Sequence, residues 1–436
     1  MNTERKILEQ IFYRALEAVD PGQLVREYGK KIRGIYQEGK YVRLNVVGFG
    51  KAAYGMAKAV EDELGDLIAS GTVITKYGHS PEGDGLRKIK LYEAAHPVPD
   101  QRGFSATEEI IKDVEKTGKE TLTLCLTSGG GSSLFVSCYD GITLDEKCRV
   151  TAQLLKAGAD INELNTVRKH ISRVKGGRFA ELVYPSSIIN LIVSDVIGDR
   201  LDVIASGPTA PDPTTFGEAV SVLEKYGIAE LVPSRVMEVL TKGRSGTYPE
   251  TPKAGNPIFK DVHNTIVGSN KKALEAAVKA ANSFGFETQI ISCELDGEAG
   301  DVGTRLAGEA IDKKVKGTGN RRPLCLISGG ETTVTVRGRG KGGRNTELAL
   351  AFALQIKGIE GIILLSAGTD GTDGPTDAAG AVVNGDSFKR GLSAGLDPLK
   401  YLENNDSYTF FKKTGDIFIT GPTGTNVMDI QIMVVE

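Results

Sequence analysis

The stretch GFGKAAYG (48–55) sets a lysine on a glycine turn, between an apolar run and a helical pattern. An ammonium beside a helix N-terminus adjoins the positive end of the dipole, which is unfavourable unless an anion sits there too. Lys51 therefore points to a phosphate or carboxylate ligand; the plain alternative is a solvated surface lysine. Gly48, Gly50 and Ala53 also satisfy the dinucleotide pattern G-x-G-x-x-[GA]. The next apolar run, however, ends in Thr75-Lys76-Tyr77, without the acidic residue that would hold a ribose.

Further loops share this character. LCLTSGGGSS (124–133) and LCLISGGETT (324–333) both follow an apolar run with Ser-Gly-Gly. Consecutive glycines let backbone N–H groups form an anion nest. The first copy, Ser128-Gly129-Gly130-Gly131-Ser132-Ser133, adds hydroxyls; the second, Ser328-Gly329-Gly330, leads to Glu331. After it, Arg337, Arg339, Lys341 and Arg344 alternate with glycines, which suits a polyphosphate, since no aromatic residue interleaves them. In NTVRKHISRVKGGRFA (165–180), Arg168, Ser172 and Lys175 are expected on one face that could receive an acidic substrate. Asp195 ends an apolar run, where a carboxylate serves as a Mg²⁺ ligand or a general base. Asp370, Asp373 and Asp377 lie among glycines without the EF-hand register, which favours Mg²⁺ near a phosphate over calcium.

Composition narrows the classes. The net charge of −3 and the lack of a basic stripe disfavour nucleic acid. Apolar runs such as IINLIV (188–193) fall far short of the roughly 20 residues of a membrane span. The N-terminus lacks the uninterrupted apolar core of a signal peptide, so a cytoplasmic location is expected. Five cysteines without C-x-x-C spacing disfavour both a disulfide framework and structural zinc. Four scattered histidines offer no metal-ligand spacing, and no nucleophile–His signature is present. Cationic clamps with strand-end carboxylates are the parts of phosphoryl transfer. The P-loop and protein-kinase signatures are absent, so such a kinase would need another fold.

The elements that must carry these loops alternate. Short apolar runs at 44–49, 71–76, 121–127, 187–195, 264–269, 287–294, 323–330, 361–368 and 417–421 read as strands. Amphipathic runs at 52–64, 105–117, 270–284, 301–315 and 345–356 read as helices, as do the first 35 residues up to a break at Pro21. The chain reads as α/β with two domains. A larger Rossmann-like three-layer α/β/α domain with a mainly parallel sheet is expected over 1–250, with room for the C-terminal segment. A smaller α/β domain with a mixed sheet is expected over 251–436, after the aperiodic stretch 241–260. Open sheets of this kind bind ligands at strand C-termini, where the glycines cluster: 54 of 436 residues, about 12% against a usual 7% or so.

GFGKAA, HPVPD (96–100), TSGGGSSL, NTVRKHIS, SDVIGD, ASGPT, SGGETTVTV, GGRNTE, AGTDGTDGPTDAAGA and GPTGTNVMD together resemble the glycerate 2-kinase family, the class II glycerate kinases with a MOFRL-type C-terminal domain. The resemblance spans nearly the whole chain. It implies transfer of the γ-phosphoryl of ATP to the 2-hydroxyl of D-glycerate in a cleft between two α/β domains. Lys51 and Arg344 match the family's proposed catalytic positions, and Asp195 joins them as the carboxylate. On this reading Ser128 to Ser133 and Arg168 hold the acid or the transferred phosphate. Ser328, Gly329, Gly330, Arg337 and Lys341 hold the nucleotide, and Asp195, Glu331 and Asp370 hold Mg²⁺. The partners implied are D-glycerate and ATP, with no nucleic acid or membrane; a homodimer is compatible. Some family members carry a hydroxypyruvate reductase label, so an NAD(P)H-dependent reductase is the alternative.

Overall fold

The computed structural model describes residues 2–81, 85–317 and 322–436. Among the described residues twelve strands form two six-stranded sheets: β1 (Arg43–Phe49), β2 (Ile68–Lys76), β3 (Lys90–Ala94), β4 (Thr121–Thr127), β5 (Ser187–Val193), β6 (Val262–Gly268), β7 (Glu287–Leu295), β8 (Leu324–Gly330), β9 (Ile362–Gly368), β10 (Gly380–Asn384), β11 (Ile417–Phe418) and β12 (Asp429–Val435).

The larger unit, Pro21–Val267, holds the sheet ordered β3-β2-β1-β4-β5-β6. β3, β2, β1, β4 and β5 pair in parallel. β4 is buried at all seven residues, as a central parallel strand must be when both faces are covered. Strand order reverses between β1 and β4, the kind of point where open sheets admit a ligand beyond the strand ends. Phe49, Phe135 and Phe179 pack in that core, with Phe49 and Phe135 stacked at 4.2 Å between ring centroids. Helices Leu144–Ala157, Ile161–His170, Phe216–Lys225 and Ser234–Arg244 build a second apolar cluster in the same unit.

The smaller unit joins the segment ending at Asp20 to Gly268–Glu436. Its sheet runs β11-β10-β9-β12-β8-β7 and is mixed. β7 and β8 are parallel, while β12 is antiparallel to both β8 and β9. The first residue of β12, Asp429, therefore lies beside Gly330 and Gly368, the last residues of its two neighbours.

The observed division differs from the expected one at 250/251. β6 completes the first sheet, so the chain changes unit at Gly268. The N-terminal helix Asn2–Glu17 belongs with the second sheet, where Arg5 donates to Ile417 O at 2.7 Å. Pro21 opens the next helix, Pro21–Glu38, at the position where a missing N–H is harmless.

Candidate active site

The larger unit gathers side chains at the ends of β1, β4 and β5. β1 ends at Phe49. Gly50 follows with φ +127, where a Cβ would lie 2.2 Å from Ser128 Oγ, so only glycine lets the two turns touch. Lys51 N donates to Gly129 O at 2.8 Å, Ser128 N to Phe49 O at 3.1 Å, and Ala52 N to Ser128 Oγ at 3.0 Å. These bonds splice the lysine turn to the Ser-Gly-Gly turn and fix the start of helix Ala53–Leu64. Ser128 is thus a buried clamp rather than an open hydroxyl. Ser133 is committed too, donating to Pro97 O at 2.7 Å. Gly131 N and Ser133 N are engaged inside the turn by Ser128 O and Gly130 O. Gly130 and Ser132 are the residues of the turn that solvent reaches.

Asp195, two residues beyond β5, lies against this turn: a Cβ on Gly129 would sit 2.3 Å from its Oδ2. On the other side, a Cβ on Gly130 (φ +82) would meet His96 Cδ2 at 3.0 Å and Lys51 Cγ at 3.4 Å. The strand ends therefore bring Lys51, Asp195 and His96 around two adjacent glycines. Burial pushes the His96 imidazole down to about 4, helped by Lys51, Lys76, His79 and Arg168, so it is neutral amid cations. Such a surplus of positive charge suits an anionic ligand.

Arg168 comes from the last turn of helix Ile161–His170, and its Nη2 reaches Ser132 O at 3.3 Å. Burial lowers its pKa to about 10, which leaves it a cation at neutral pH. Ser172 and Lys175 do not share its face. The helix stops at His170, Ser172 Oγ turns inward to Ser137 O at 3.1 Å, and Lys175 is wholly buried. Lys175 Nζ approaches Phe135 O and Ala205 O, each at 3.4 Å. Ala205 and Ser206 hold positive φ of 50° and 63°, which ordinary residues keep only where surroundings over-determine them. Here Ser206 Oγ is gripped by Ser132 Oγ at 2.8 Å and Asn165 Oδ1 at 2.9 Å.

The smaller unit builds a second polar cluster at the ends of β8 and β9. Arg344, the first residue of helix Arg344–Gln355, donates from Nε to Asp429 Oδ2 at 2.6 Å, from Nη2 to Asp429 Oδ1 at 2.9 Å, and from Nη1 to Glu331 Oε1 at 2.5 Å. Burial opposes the guanidinium charge, but Asp429 and Glu331 outweigh it and raise its pKa. Asp373 accepts from Asn345 N, Thr346 N and Thr346 Oγ1 at 2.7–2.8 Å, so this helix N-terminus is filled by a carboxylate of the chain itself. Burial pushes Asp373 up to about 6, against those donors and with Asp429 adding to the rise. Asp370 Oδ1 accepts from Thr372 N at 3.0 Å and Thr372 Oγ1 at 2.9 Å.

Several expectations change. The second Ser-Gly-Gly is not a nest: Ser328, Gly329 and Gly330 are the last residues of β8, paired with Gln431, Ile430 and Asp429. Ser328 Oγ is buried against Gln431 Oε1 at 3.3 Å. The glycines answer to packing, since a Cβ on Gly329 would lie 2.2 Å from Asn270 Oδ1. Arg337 and Lys341 lie exposed on the following loop. The carboxylates named for metal are divided, Asp195 in the larger unit and Glu331 and Asp370 in the smaller. Among the described residues no three His, Cys, Asp or Glu side chains group as metal ligands. Nor is any described helix long and apolar enough to cross a membrane. His96 and Asp429 were not singled out from the sequence as site residues; their signals were the motifs HPVPD and GPTGTNVMD.

Comparison with known proteins sets these clusters in context. A family model described as a domain of unknown function, DUF4147, matches residues 7–241, and one described as the MOFRL family matches 324–429. The D-glycerate 2-kinase of Thermotoga maritima is 46% identical over 98% of this chain and 97% of its own length. A protein of Agrobacterium vitis provisionally named hydroxypyruvate reductase is 42% identical, over 99% of this chain and 94% of its own. The crystal structure of glycerate kinase from Thermotoga maritima superposes with a TM-score of 0.90 at 44% identity, covering 100% of both chains.

Proposed function

The chain belongs to the glycerate 2-kinase family, and from that premise we propose that it transfers the γ-phosphoryl of ATP to the 2-hydroxyl of D-glycerate, giving 2-phosphoglycerate and ADP. The observation that carries the reading is the meeting of Lys51 and Asp195 on the two glycines 129 and 130, at the switch point of a parallel sheet. Kinase chemistry needs little beyond positioning and charge neutralisation, and this cluster offers both.

In this reading Arg168 and the accessible turn at Gly130 and Ser132 orient the glycerate carboxylate. Lys51 neutralises charge growing on the transferring phosphoryl. Asp195 accepts the proton of the 2-hydroxyl as the new P–O bond forms. In the smaller unit Arg337 and Lys341 hold the nucleotide phosphates, and Arg344 offers its guanidinium to the phosphoryl. Glu331 and Asp370 are the carboxylates for Mg²⁺, with Asp195 a further candidate ligand. Such a thin set suits an ion that keeps water and phosphate oxygens in its shell rather than an all-protein cage. Mg²⁺, when bound, neutralises β- and γ-phosphate charge. A cytoplasmic location accords with an ATP donor.

The reductase reading lacks a ribose anchor. Where β2 should end in an acid, Thr75 is buried and donates to Gly50 O at 3.2 Å. A ³¹P NMR assay with D-glycerate, ATP and Mg²⁺, run beside an NAD(P)H absorbance trace on hydroxypyruvate, separates the two. A 2-phosphoglycerate resonance without nicotinamide oxidation is expected. A 3-phosphoglycerate resonance would overturn the regiochemistry. Nicotinamide oxidation without a phosphate ester would overturn the kinase.

A further inference from the structure

Arg337-Gly338-Arg339-Gly340-Lys341-Gly342 alternates cation and glycine, and the alternation has a physical cause. A Cβ on Gly338 would lie 2.2 Å from Asn404 O, one on Gly340 2.2 Å from Asp406 Cβ, and one on Gly342 2.4 Å from Ser407 Oγ. Every second residue is thus pressed against the turn at 404–407. Arg337, Arg339 and Lys341 between them are exposed.

That turn also takes up the strip's backbone. Asn405 Oδ1 accepts from Arg337 N at 2.8 Å and Gly338 N at 2.9 Å. Asn404 Oδ1 accepts from Arg339 N at 3.1 Å, Asn404 O from Gly340 N at 3.0 Å, and Asp406 Oδ1 from Lys341 N at 2.8 Å. Five successive N–H groups, from 337 to 341, are therefore spent inside the protein. The strip cannot act as an amide nest; it works through its side chains. Asn405 holds a positive φ of 50° and is anchored by its Nδ2, which donates to Glu347 Oε2 at 3.0 Å. Asparagine tolerates that conformation because its side chain bonds locally.

We propose that the Asn404–Asp406 turn is a template that shapes the strip into a row of three cations for the polyphosphate chain of the phosphoryl donor, with Asn405 as the positioning residue. This rests on the assignment of the donor to the 337–341 loop. Asn405→Gly keeps the left-handed backbone and removes the acceptor shared by two N–H groups. With the loss of its two hydrogen bonds to the strip and its anchor on Glu347, the KM for ATP rises by about tenfold, while the KM for D-glycerate stays within about twofold. Asn405→Asp retains an acceptor oxygen but sets a carboxylate against Glu347; combined with Glu347→Gln, which restores a donor to it, it recovers most of the ATP KM. Equal rises in both KM values, or an unchanged ATP KM in Asn405→Gly, would overturn the positioning role. The triple variant Arg337→Ala, Arg339→Ala, Lys341→Ala tests the underlying assignment by calorimetry with inorganic tripolyphosphate. Loss of heat in that variant is expected. Retained binding and an unchanged ATP KM would remove the donor from this loop altogether.

Discussion

Asp429 grips Arg344 through two contacts, Nε to Oδ2 at 2.6 Å and Nη2 to Oδ1 at 2.9 Å, although 85 residues separate them in the chain. The contact exists because β12 threads antiparallel between β8 and β9 and begins at their ends. Asp429 is nearly inaccessible, and the guanidinium is its partner there.

Asp429→Asn keeps the shape and removes the charge. Arg344 then keeps one acceptor in the amide oxygen, meets an NH2 donor where the second stood, and has Glu331 as its remaining carboxylate partner. A charged hydrogen bond is worth about 1.5–3 kcal/mol, so denaturant unfolding should report a loss of that order. If Arg344 serves the transferring phosphoryl, kcat falls by about 10²-fold. A kcat within twofold of wild type would show that Arg344 needs no orientation by Asp429.

Gly129→Ala tests the larger unit's cluster. The added methyl meets Asp195 Oδ2 at 2.3 Å, and the short aspartate has to swing away. Loss of kcat by about 10²-fold is expected, with KM for ATP little changed. A double-mutant cycle with Asp195→Ala should be strongly non-additive, because both changes remove one carboxylate. Additive losses would mean that Gly129 matters for another reason.

Much of this site was legible from residue types. Glycines that close apolar runs located the ends of β1, β4, β8 and β9, and a lone lysine beside one of them marked Lys51. Other features depend on non-local pairing. Ser-Gly-Gly reads alike at 128 and 328, yet the first copy turns into the short helix Gly131–Leu134. The second stays in β8, because β12 pairs along it to the last residue. β12 itself, DIQIMVV, carries Asp429 and Gln431 on inward positions, which masks it as a strand. Lys175 reads from the sequence as sharing a substrate-facing surface with Arg168, but the helix ends at His170 and Lys175 is buried. His96, without a metal-spaced partner, carried no sign of the cations folded around it.

Histidine 96 gives a pH signature. Its folded pKa of about 4 lies below the ordinary value near 6.5, so the unfolded chain binds more protons between them. Stability therefore rises with pH across that window and, for this group, is flat above it. Wild type should lose stability relative to His96→Gln as pH falls from about 6.5 to about 4. By NMR, the His96 ring should titrate near 4 and move upward when inorganic phosphate offsets the neighbouring cations. A midpoint near 6.5, indifferent to phosphate, would remove the cationic pocket from the account.

Lys175 offers the opposite trade. Its side chain is wholly buried, and Nζ donates over long distances to two carbonyls, Phe135 O and Ala205 O at 3.4 Å each. Burial pushes its pKa well below the usual lysine value, with Arg168 and Lys147 adding repulsion. A group whose folded pKa lies below its unfolded one costs stability at every pH below the unfolded value, and that range includes neutral pH. Lys175→Met fills similar space without that cost, so Tm should hold or rise, and its margin over wild type should shrink as pH climbs toward about 10. The same change cuts the tie between the end of helix Gly131–Leu134 and the left-handed Ala205, which flank the Ser128–Ser133 turn. The expected cost is about tenfold in kcat/KM for D-glycerate, with the ATP KM unmoved. A lower Tm with full activity would mean that the buried ammonium supports the fold rather than the site.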